Sequence, residues 1–220
     1  MKISKRLKEI AAYVEKDSYV LDVGCDHALL DIYLIQENIC KNTMASDIHE
    51  GPLKKAKENI EKYHLQEKIE LKQADGIDKI NDKVDTIVLA GMGYYTIKDI
   101  LDKNNRALEK VNTIILSVND DFYELRKYIA NKGYRIEKEK IIEDHNKFYL
   151  ILKVKKGRKK YTKKELFFGT SKMNQDSKDY KKYIEKEIIK RKRILSFLPE
   201  TKLLLKIKLK KEIRILVKKI

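Results

Sequence analysis

The sequence contains no tryptophan, only two cysteines and two prolines, and eight glycines among its 220 residues. The two cysteines, Cys25 and Cys40, are too few and too poorly spaced for a disulfide framework or a structural zinc site. No run of apolar residues is long enough to cross a membrane, and the chain does not start with a charged and then apolar leader. We therefore expect a soluble, reduced, cytoplasmic protein.

Acidic residues are scarce only in the last part of the chain. Residues 155–220 hold 24 Lys and Arg against 7 Asp and Glu, whereas residues 1–154 hold 26 against 27. The net charge of +16 at pH 7 is therefore entirely C-terminal. This pattern predicts a catalytic or ligand-binding unit that is joined to a segment for binding a polyanion. A generally lysine-rich composition with solvated faces is the alternative, but it does not explain the balanced first part.

Five short apolar segments predict the strands of a parallel, doubly wound α/β sheet of the Rossmann-like type. Stretches with helical spacing follow residue 26 and residue 51 and cover 95–101 and 121–131. A further helix, over residues 4–16, precedes the first strand. The five strand segments are YVLDVG, NTMASD, KIELKQAD, VDTIVLAG and NTIILSVN.

The pattern changes after these repeated units. Residues 136–154 read as two strands around a polar turn, which predicts an antiparallel hairpin at the edge of the sheet. A lysine-rich run then marks a boundary between a catalytic domain, 1–155, and a basic helical domain, 156–220. The last segment, 201–220, fits either a helical stripe or a strand. We favour two helices packed as an antiparallel pair, because a lone strand there would have no obvious partner.

The segment VLDVGCDHALL lies where the first strand turns into its helix, which is the ligand-binding end of an open parallel sheet. A dinucleotide pyrophosphate needs a bare backbone, but here Gly24 is followed by Asp26, whose charge repels phosphate. S-Adenosylmethionine carries a sulfonium and an ammonium and no phosphate. The loop therefore predicts a site for this cofactor at Asp22, Gly24, Cys25 and Asp26, and it argues against a nicotinamide dehydrogenase.

Acidic residues also end the second and third predicted strands. Asp47 falls 23 positions after the loop glycine, where a carboxylate can accept hydrogen bonds from both ribose hydroxyls. Asp75, followed by Gly76, is placed to reach the adenine amino group, with Ile48 and Ile77 as candidate walls against the ring. Each aspartate by itself could be a helix N-cap. Three acids at three successive strand ends favour a ligand site.

The fourth predicted strand ends in small residues. Ala90, Gly91 and Met92, followed by Gly93, would let backbone carbonyls approach the methionine part of the cofactor and leave space for a substrate. An ordinary strand-to-helix turn is the alternative. Tyr94 could stack on a flipped base, although a tyrosine is more often a partly buried core residue.

The motifs in this order and spacing resemble those of the bacterial tRNA (adenine-22-N1)-methyltransferase family. In residues 1–155 the resemblance extends to each motif, whereas the tail resembles the family only in being lysine-rich and helical. It implies a class I S-adenosylmethionine-dependent methyltransferase fold with a C-terminal coiled-coil-like helical domain. It also implies methylation of N1 of an adenine in the D-arm region of tRNA. The segments that carry the resemblance are DVGCDHALL, ASDIHEGPL, ADG, AGMG and LRKYIANKGYRI.

Three positions depart from the family pattern. Asp31 stands where many members have proline, and Tyr94 stands where many have a further glycine. Of the usual Q-P-N segment after the fifth strand, only Asn119 is kept. These departures concern the substrate pocket more than the cofactor site.

The implied chemistry assigns roles to three residues. Adenine N1 lies on the Watson–Crick edge, so the base must be unpaired or flipped out, but its lone pair is already free at neutral pH. Positive charge moves from the sulfonium to the adenine, so positioning and electrostatics should carry catalysis. We expect Asp26 to act electrostatically, His27 to shape the loop and contact base or cofactor, and Asn119 to orient the base. The alternative for His27 is capping or packing beneath the helix.

The expected partners are S-adenosylmethionine and tRNA, with no membrane and with a monomer as the oligomeric state. No metal is expected, because His49, His64 and His145 have no partners at metal-ligand spacing. Among enzymes, the alternative is a methyltransferase acting on another tRNA position or on ribosomal RNA. From a different class, the alternative is a nucleic-acid-binding protein whose Rossmann-like domain no longer turns over.

Overall fold

The computed structural model describes residues 1–77, 80–170 and 177–218. The strands are β1 (Val20–Val23), β2 (Thr43–Asp47), β3 (Ile69–Gln73), β4 (Thr86–Ala90), β5 (Thr113–Val118), β6 (Tyr134–Asp144) and β7 (Lys147–Lys156). The helices are α1 (Lys5–Ala11), α2 (Leu29–Gln36), α3 (Glu50–Lys62), α4 (Tyr94–Lys103), α5 (Asn105–Leu108), α6 (Phe122–Asn131), α7 (Lys163–Phe168), α8 (Lys178–Phe197) and α9 (Leu203–Val217). The strands form one sheet in the order β3-β2-β1-β4-β5-β7-β6, in which β7 runs antiparallel to both of its neighbours.

Alternate side chains of the central strands face two separate helical layers. In β4, Ile87 and Leu89 belong to the core beneath α4, α6 and the C-terminal helices, whereas Val88 belongs to the core beneath α1, α2 and α3. All three side chains are fully buried. Near-continuous apolar strands of this kind are typical of a parallel sheet that is covered on both faces. The predicted α/β sheet is therefore confirmed, including its edge hairpin.

The helices differ from the sequence-based prediction in length and number. The first helix ends at Ala11, before the predicted end at residue 16. The N–H groups of Tyr13 and Val14 bond to carbonyls three residues back, so the chain tightens there while Val14 stays buried at its helical spacing. The four-residue α5 and the six-residue α7 were not predicted, because such short helices show no periodic stripe.

The two C-terminal helices form the predicted helical pair. Helix α8 begins at the N-cap Ser177, whose hydroxyl accepts a hydrogen bond from the N–H of Tyr180 at 3.1 Å. The chain then folds back, so that α9 lies beside α8. Arg191 Nε on α8 donates to Glu212 on α9 at 3.0 Å. Leu209 is among the residues that α9 buries. The helical interpretation of the last segment is therefore confirmed over the strand.

The inner face of the C-terminal helices completes one of the two cores of the sheet. Tyr180 and Ile184 belong to the same apolar cluster as Ile87 and Leu89 of β4. The ring of Tyr183 stacks on that of Phe122 with 5.1 Å between centroids, and the hydroxyl of Tyr180 donates to the carbonyl oxygen of Phe168 at 3.0 Å. The sheet and the helical tail therefore share apolar packing.

A buried ion pair holds the start of the tail against the sheet. Arg126 Nε on α6 donates to Glu139 on β6 at 2.9 Å, and the two side chains are 1% and 0% exposed. The same guanidinium donates through Nη1 to the carbonyl oxygen of Leu166 in α7 at 3.2 Å, and the N–H of Thr170 donates to Glu139. Gly169 leaves the necessary room, since a Cβ there would clash with the Glu139 carboxylate. The pair thus joins α6, β6 and the segment around α7.

A second buried acidic group lies between β1 and α2. Asp31 on α2 is fully buried, and neither of its carboxyl oxygens has a hydrogen-bond partner among the described residues. Burial raises the pKa of Asp31 to about 7. Burial, followed by the charge of Asp31, also raises the pKa of Asp22 on β1, while Arg6 acts in the opposite direction. The folded protein therefore holds a proton here that the unfolded chain would release.

Removing one partner of the Arg126–Glu139 pair should destabilise the fold strongly. We expect Arg126→Met to lower the free energy of unfolding by about 3–5 kcal/mol, because it leaves the Glu139 carboxylate buried without its charge partner. Replacing both residues by Met should cost far less, since the pair is removed as a whole. Urea unfolding measures both variants.

The matched control for this experiment is an exposed pair. Lys103 and Asp99 lie one helical turn apart on α4, with side chains 64% and 60% exposed. Lys103→Met should therefore change the free energy of unfolding by less than about 1 kcal/mol. Equal losses in the single and double variants at positions 126 and 139 would contradict the role given to the ion pair.

The Asp31 carboxyl should make stability fall as the pH rises. Its pKa is 3.8 in the unfolded chain and about 7 in the folded protein, so the folded state binds the extra proton between these values. The contribution of Asp31 to this loss is up to about 1.4 kcal/mol per pH unit in this window. Asp31→Asn should remove the contribution of Asp31 and raise stability at alkaline pH, and the pH dependence that remains should be that of Asp22, whose pKa burial also raises. Urea unfolding over a pH series tests this, with exposed Asp82→Asn as the control that keeps the wild-type slope.

Candidate active site at the carboxyl ends of the strands

The predicted cofactor loop lies at the switch point of the sheet. Strand β1 is flanked by β2 on one side and β4 on the other, which opens a crevice at their carboxyl ends. The N–H groups of Gly24 and Cys25 both donate to the carbonyl oxygen of Ser46, at 2.8 and 2.9 Å. The loop after β1 is thereby fixed to the end of β2.

The backbone of this loop requires special conformations. Gly24 has φ +73°, and a Cβ at this position would lie 3.0 Å from the methyl carbon of Met92. Asp26 and Ala28 also have positive φ, at 51° and 54°, which is costly for residues other than glycine. Strain of this kind is found mainly where the surroundings fix a functional geometry. This strain supports the prediction that the loop has a functional role.

A small cavity of about 70 Å³ opens at the loop and gathers six of the predicted site residues. Its volume suits a terminal polar group rather than a whole nucleoside. Burial raises the pKa of the Cys25 thiol, so this cysteine is neutral at physiological pH and lines the cavity as an apolar group. The six residues are Asp22, Gly24, Cys25, Asp26, His27 and Ala90.

Arg6 lines the same cavity and was missed in the sequence. Its Nη1 atom is buried without a hydrogen-bond partner among the described residues, and it lies 3.4 Å from where a Cβ on Gly91 would be. The guanidinium packs over the ring of Tyr149 at 5.1 Å, and the backbone N–H of Arg6 donates to Asp144 at 3.2 Å. An unpaired guanidinium N–H in such a place is suited to a carboxylate. Arg6 precedes every recognisable motif, so only the fold brings it to the site.

The mouth of the cavity carries the two predicted catalytic residues of the loop. The side chain of Asp26 is 74% exposed and that of His27 is 33% exposed, with 3.4 Å between Oδ1 and Nε2. The carbonyl oxygen of His27 accepts a hydrogen bond from Asn59 at 3.0 Å. Ala28 occupies the N-cap position of α2 and no side chain caps this helix, so His27 does not act as its cap.

The residues predicted to bind the nucleoside lie at the next strand ends and outside the small cavity. Asp47 ends β2, and its Oδ1 accepts a hydrogen bond from the N–H of His49 at 3.0 Å. His49, not Asp47, occupies the N-cap position of α3. Ile48 between them is 51% exposed, which leaves its side chain free to meet a ring. The helix-cap alternative for Asp47 is therefore wrong.

Asp75 and Gly76 follow β3 in a turn that begins beside Asp47. The N–H of Ala74 donates to the carbonyl oxygen of Asp47 at 3.1 Å. Gly76 has φ +66° and packs against α4. Ile77 is fully buried in the core, so it is not an exposed wall, unlike Ile48.

A larger cavity of about 440 Å³ lies at the end of β5, where Asn119 was predicted to orient the base. Asn119 and Asp120 are exposed there. Asp120 also accepts a hydrogen bond from the N–H of Tyr94 at 3.1 Å, so it connects this cavity with the loop after β4. The remaining wall comes from the first turn of α6, from Phe167 and from the C-terminal helices.

Two adjacent tyrosines begin α4 and have opposite environments. Tyr94 is 7% exposed and belongs to the core, which confirms the packing alternative for this residue. Tyr95 is 73% exposed, and its ring lies 5.0 Å from that of Tyr94. The sequence singled out Tyr94 and not Tyr95. Neighbouring residues of a helix point in directions about 100° apart, so one of the two tyrosines can be buried while the other is exposed. It is the tyrosine of this pair that presents its ring to solvent.

The described residues contain no group of three or more His, Cys, Asp or Glu that could hold a metal ion. None of the helices in the described ranges is long and apolar enough to cross a membrane.

Comparison with known proteins gives concordant results. The family model described as tRNA (adenine(22)-N(1))-methyltransferase matches residues 20–219. The tRNA (adenine(22)-N(1))-methyltransferase of Bacillus subtilis is 32% identical over 158 residues, which make up 71% of this chain and 66% of that protein.

Two solved structures with bound ligands are similar over nearly the whole chain. A candidate tRNA (m1A22) methyltransferase of Streptococcus pneumoniae, in complex with S-adenosyl-L-methionine, is 34% identical with a TM-score of 0.86, over 96% of this chain and 99% of that one. TrmK of M. capricolum, in complex with S-adenosyl-homocysteine, is 27% identical with a TM-score of 0.86, over 99% of this chain and 97% of that one. The chain belongs to the tRNA (adenine(22)-N(1))-methyltransferase family.

Proposed function

We propose that this protein transfers the methyl group of S-adenosylmethionine to N1 of adenine 22 in tRNA. The observation that carries the proposal is the pairing of two sites at one edge of the sheet. An acidic cavity with an unpaired arginine N–H lies at β1, and a larger cavity that extends to the basic helices lies at β5. The first suits a cationic amino-acid cofactor, and the second adjoins a surface for a polyanion.

The chain's own residues fit the cofactor. The buried Nη1 of Arg6 would receive the carboxylate of the methionine part, and Asp22 would lie near its ammonium. Asp47 would hold the ribose hydroxyls, and Asp75 the adenine amino group. The other residues that we propose for this site are Gly24, Cys25, Asp26, Ile48, Gly76, Ala90, Gly91 and Met92.

Catalysis requires orientation and charge stabilisation rather than proton removal. S-Adenosylmethionine supplies an electrophilic methyl group when it is bound, and adenine N1 has a free lone pair. Asp26 places a carboxylate at the mouth of the cavity, where it stabilises the positive charge that develops on the base. His27 holds this carboxylate in place, and Asn119 offers its amide to the N6–N1 edge of the adenine. Tyr95 offers an exposed ring on which the unstacked base can pack.

The functional division that we propose is a catalytic region, 1–155, and a tRNA-binding region, 156–220. The boundary coincides with the end of β7, and the excess positive charge lies beyond it. Because the helices also share a core with the sheet, the division concerns function and not independent folding. We further propose that the protein acts in the cytoplasm. We also propose that it is a monomer, since the basic helices of two copies would repel each other.

Losing either of two cofactor contacts should weaken binding without unfolding the protein. We expect Arg6→Met and Asp47→Ala each to reduce the affinity for S-adenosylmethionine by about 1.5–3 kcal/mol, the range for hydrogen bonds to charged groups. Isothermal titration calorimetry measures the change. The matched control, Asp82→Ala, removes an exposed carboxylate that precedes β4, at the amino ends of the strands and so on the opposite edge from the site, and it should bind as the wild type does. Unchanged affinity in a folded variant would remove that residue from the site.

The charge of Asp26 should matter for the chemical step. Asp26→Asn keeps the size of the side chain and deletes its charge, so the rate of methyl transfer should fall while the affinity for tRNA changes little. Single-turnover measurements at saturating tRNA isolate this step. Wild-type rates in this variant would exclude the electrostatic role.

The function itself is tested on unmodified tRNA. Incubation with S-adenosylmethionine, digestion and mass spectrometry of the nucleosides should give 1-methyladenosine, and the product should be lost when adenine 22 is replaced by guanine. Methylation at another position or only of ribosomal RNA would support the alternative enzymes. Binding of RNA without any methylation would instead support a non-catalytic RNA-binding protein.

A further inference from the structure

The turn between the two C-terminal helices exposes an unusual group of large apolar side chains. Phe197 ends α8, and Leu203 and Leu204 begin α9; we refer to these three residues as the apolar tip. They are 77%, 61% and 85% exposed. Single exposed apolar residues are ordinary, but here three large ones fall within eight consecutive residues at one turn, and exposed apolar patches often mark interaction sites.

The apolar tip extends beyond the part of the helical pair that packs on the sheet. In α8 the buried residues are Tyr180, Ile184 and Ile188, all in its first part, and no residue after Ile188 is buried in this helix. Helix α9 buries Leu209 and Leu216 and none of its first six residues. No element in the described ranges covers the tip, so its side chains are available to a partner.

The surroundings of the tip favour a polyanionic partner. Residues 190–211 contain nine Lys and Arg and a single acidic residue, Glu200. A second copy of the chain would bring two such basic segments together, and three side chains are far less than the roughly 800 Å² per partner of a stable dimer. Apolar side chains gain nothing from phosphates, however. Within a nucleic acid, the surface that suits them is the face of an unpaired base.

The tip is also continuous with the proposed substrate site. Lys190 and Arg191 of α8 line the 440 Å³ cavity at the end of β5. Phe197 lies seven residues further along the same helix, which is about 10 Å at 1.5 Å per residue. A tRNA whose target adenine enters the cavity would therefore pass along the helical pair and meet the tip a few nucleotides away.

We infer that the apolar tip binds unpaired bases of the substrate tRNA, with Phe197 stacked on one base, while the surrounding lysines bind phosphates. This inference rests on the proposed tRNA methyltransferase function. The tip then supplies a contact that depends on base exposure and not on salt. It would distinguish a folded tRNA with an accessible loop from a continuous duplex of the same charge.

The salt dependence of tRNA binding separates the two kinds of contact. Phe197→Ala should weaken binding by about 5- to 150-fold, which corresponds to the loss of one base stacked on an aromatic ring, and Leu204→Ala should weaken it by a smaller factor. The slope of log K against log salt should stay at its wild-type value. The matched variants Lys208→Gln and Lys210→Gln should each lower the slope by about one. Phe197→Tyr keeps the ring and should keep most of the affinity.

The same variants show how the inference would fail. Wild-type tRNA affinity in both alanine variants would overturn it, and so would a changed salt slope in those variants. A wild-type dimer in sedimentation that dissociates in Phe197→Ala would instead make the tip a contact between copies. If Phe197→Ala loses binding to phosphatidylserine vesicles but keeps the wild-type affinity for tRNA, the tip is a membrane contact.

Methylation of unmodified tRNA by the wild type keeps this test distinct from that of the function. If the wild type methylates adenine 22 and the alanine variants behave normally, only the role of the tip is wrong. If the wild type methylates no tRNA, the proposed function itself fails. Because Phe197 and Leu204 are exposed, circular dichroism should show wild-type folding in both variants.

Discussion

The position of the helical tail depends on the buried ion pair between Arg126 and Glu139. A charge pair that is shielded from solvent depends on both partners and on their further hydrogen bonds, and here α6, β6 and the segment around α7 supply most of these, with Nη2 of Arg126 left without a partner among the described residues. Helix α6 begins directly after the loop of Asn119 and Asp120. The contact that anchors the tail therefore also positions one wall of the cavity at the end of β5, which is the proposed substrate site.

The two ligands carry opposite charges, and the fold separates the groups that attract them. Acidic residues, including Asp22 and Asp26, line the cavity at β1 that we propose for the cofactor. Lysines and arginines cover the outer faces of the C-terminal helices. A cationic cofactor and an anionic RNA can therefore approach one sheet edge without competing for the same residues. The methylated adenine is a cation, so in the proposed site the carboxylate of Asp26 would also meet the product.

The sequence predicted the sheet, the edge hairpin, the helical pair and the cofactor loop, because each depends on local apolar spacing or on one short motif. It could not predict Arg6, Asp120 or Tyr95. Arg6 reaches the cavity only through the packing of α1, and Asp120 acts through a hydrogen bond to a distant strand end. Tyr95 and Tyr94 differ only in helical phase. The site residues at the ends of β2 and β3 stay predictions, because the small cavity does not include them.

The shared core has a consequence for how the protein is made. The ribosome synthesises the sheet before α8 and α9, so Phe122 and the apolar residues around it stay uncovered while the last sixty or so residues are added. At about 5–20 residues per second, this interval lasts several seconds. During that time the nascent chain exposes the apolar face that α8 and α9 later cover, next to strands that can already form hydrogen bonds with one another. Chaperone binding to the nascent chain would therefore protect this enzyme at a stage that its finished structure no longer shows.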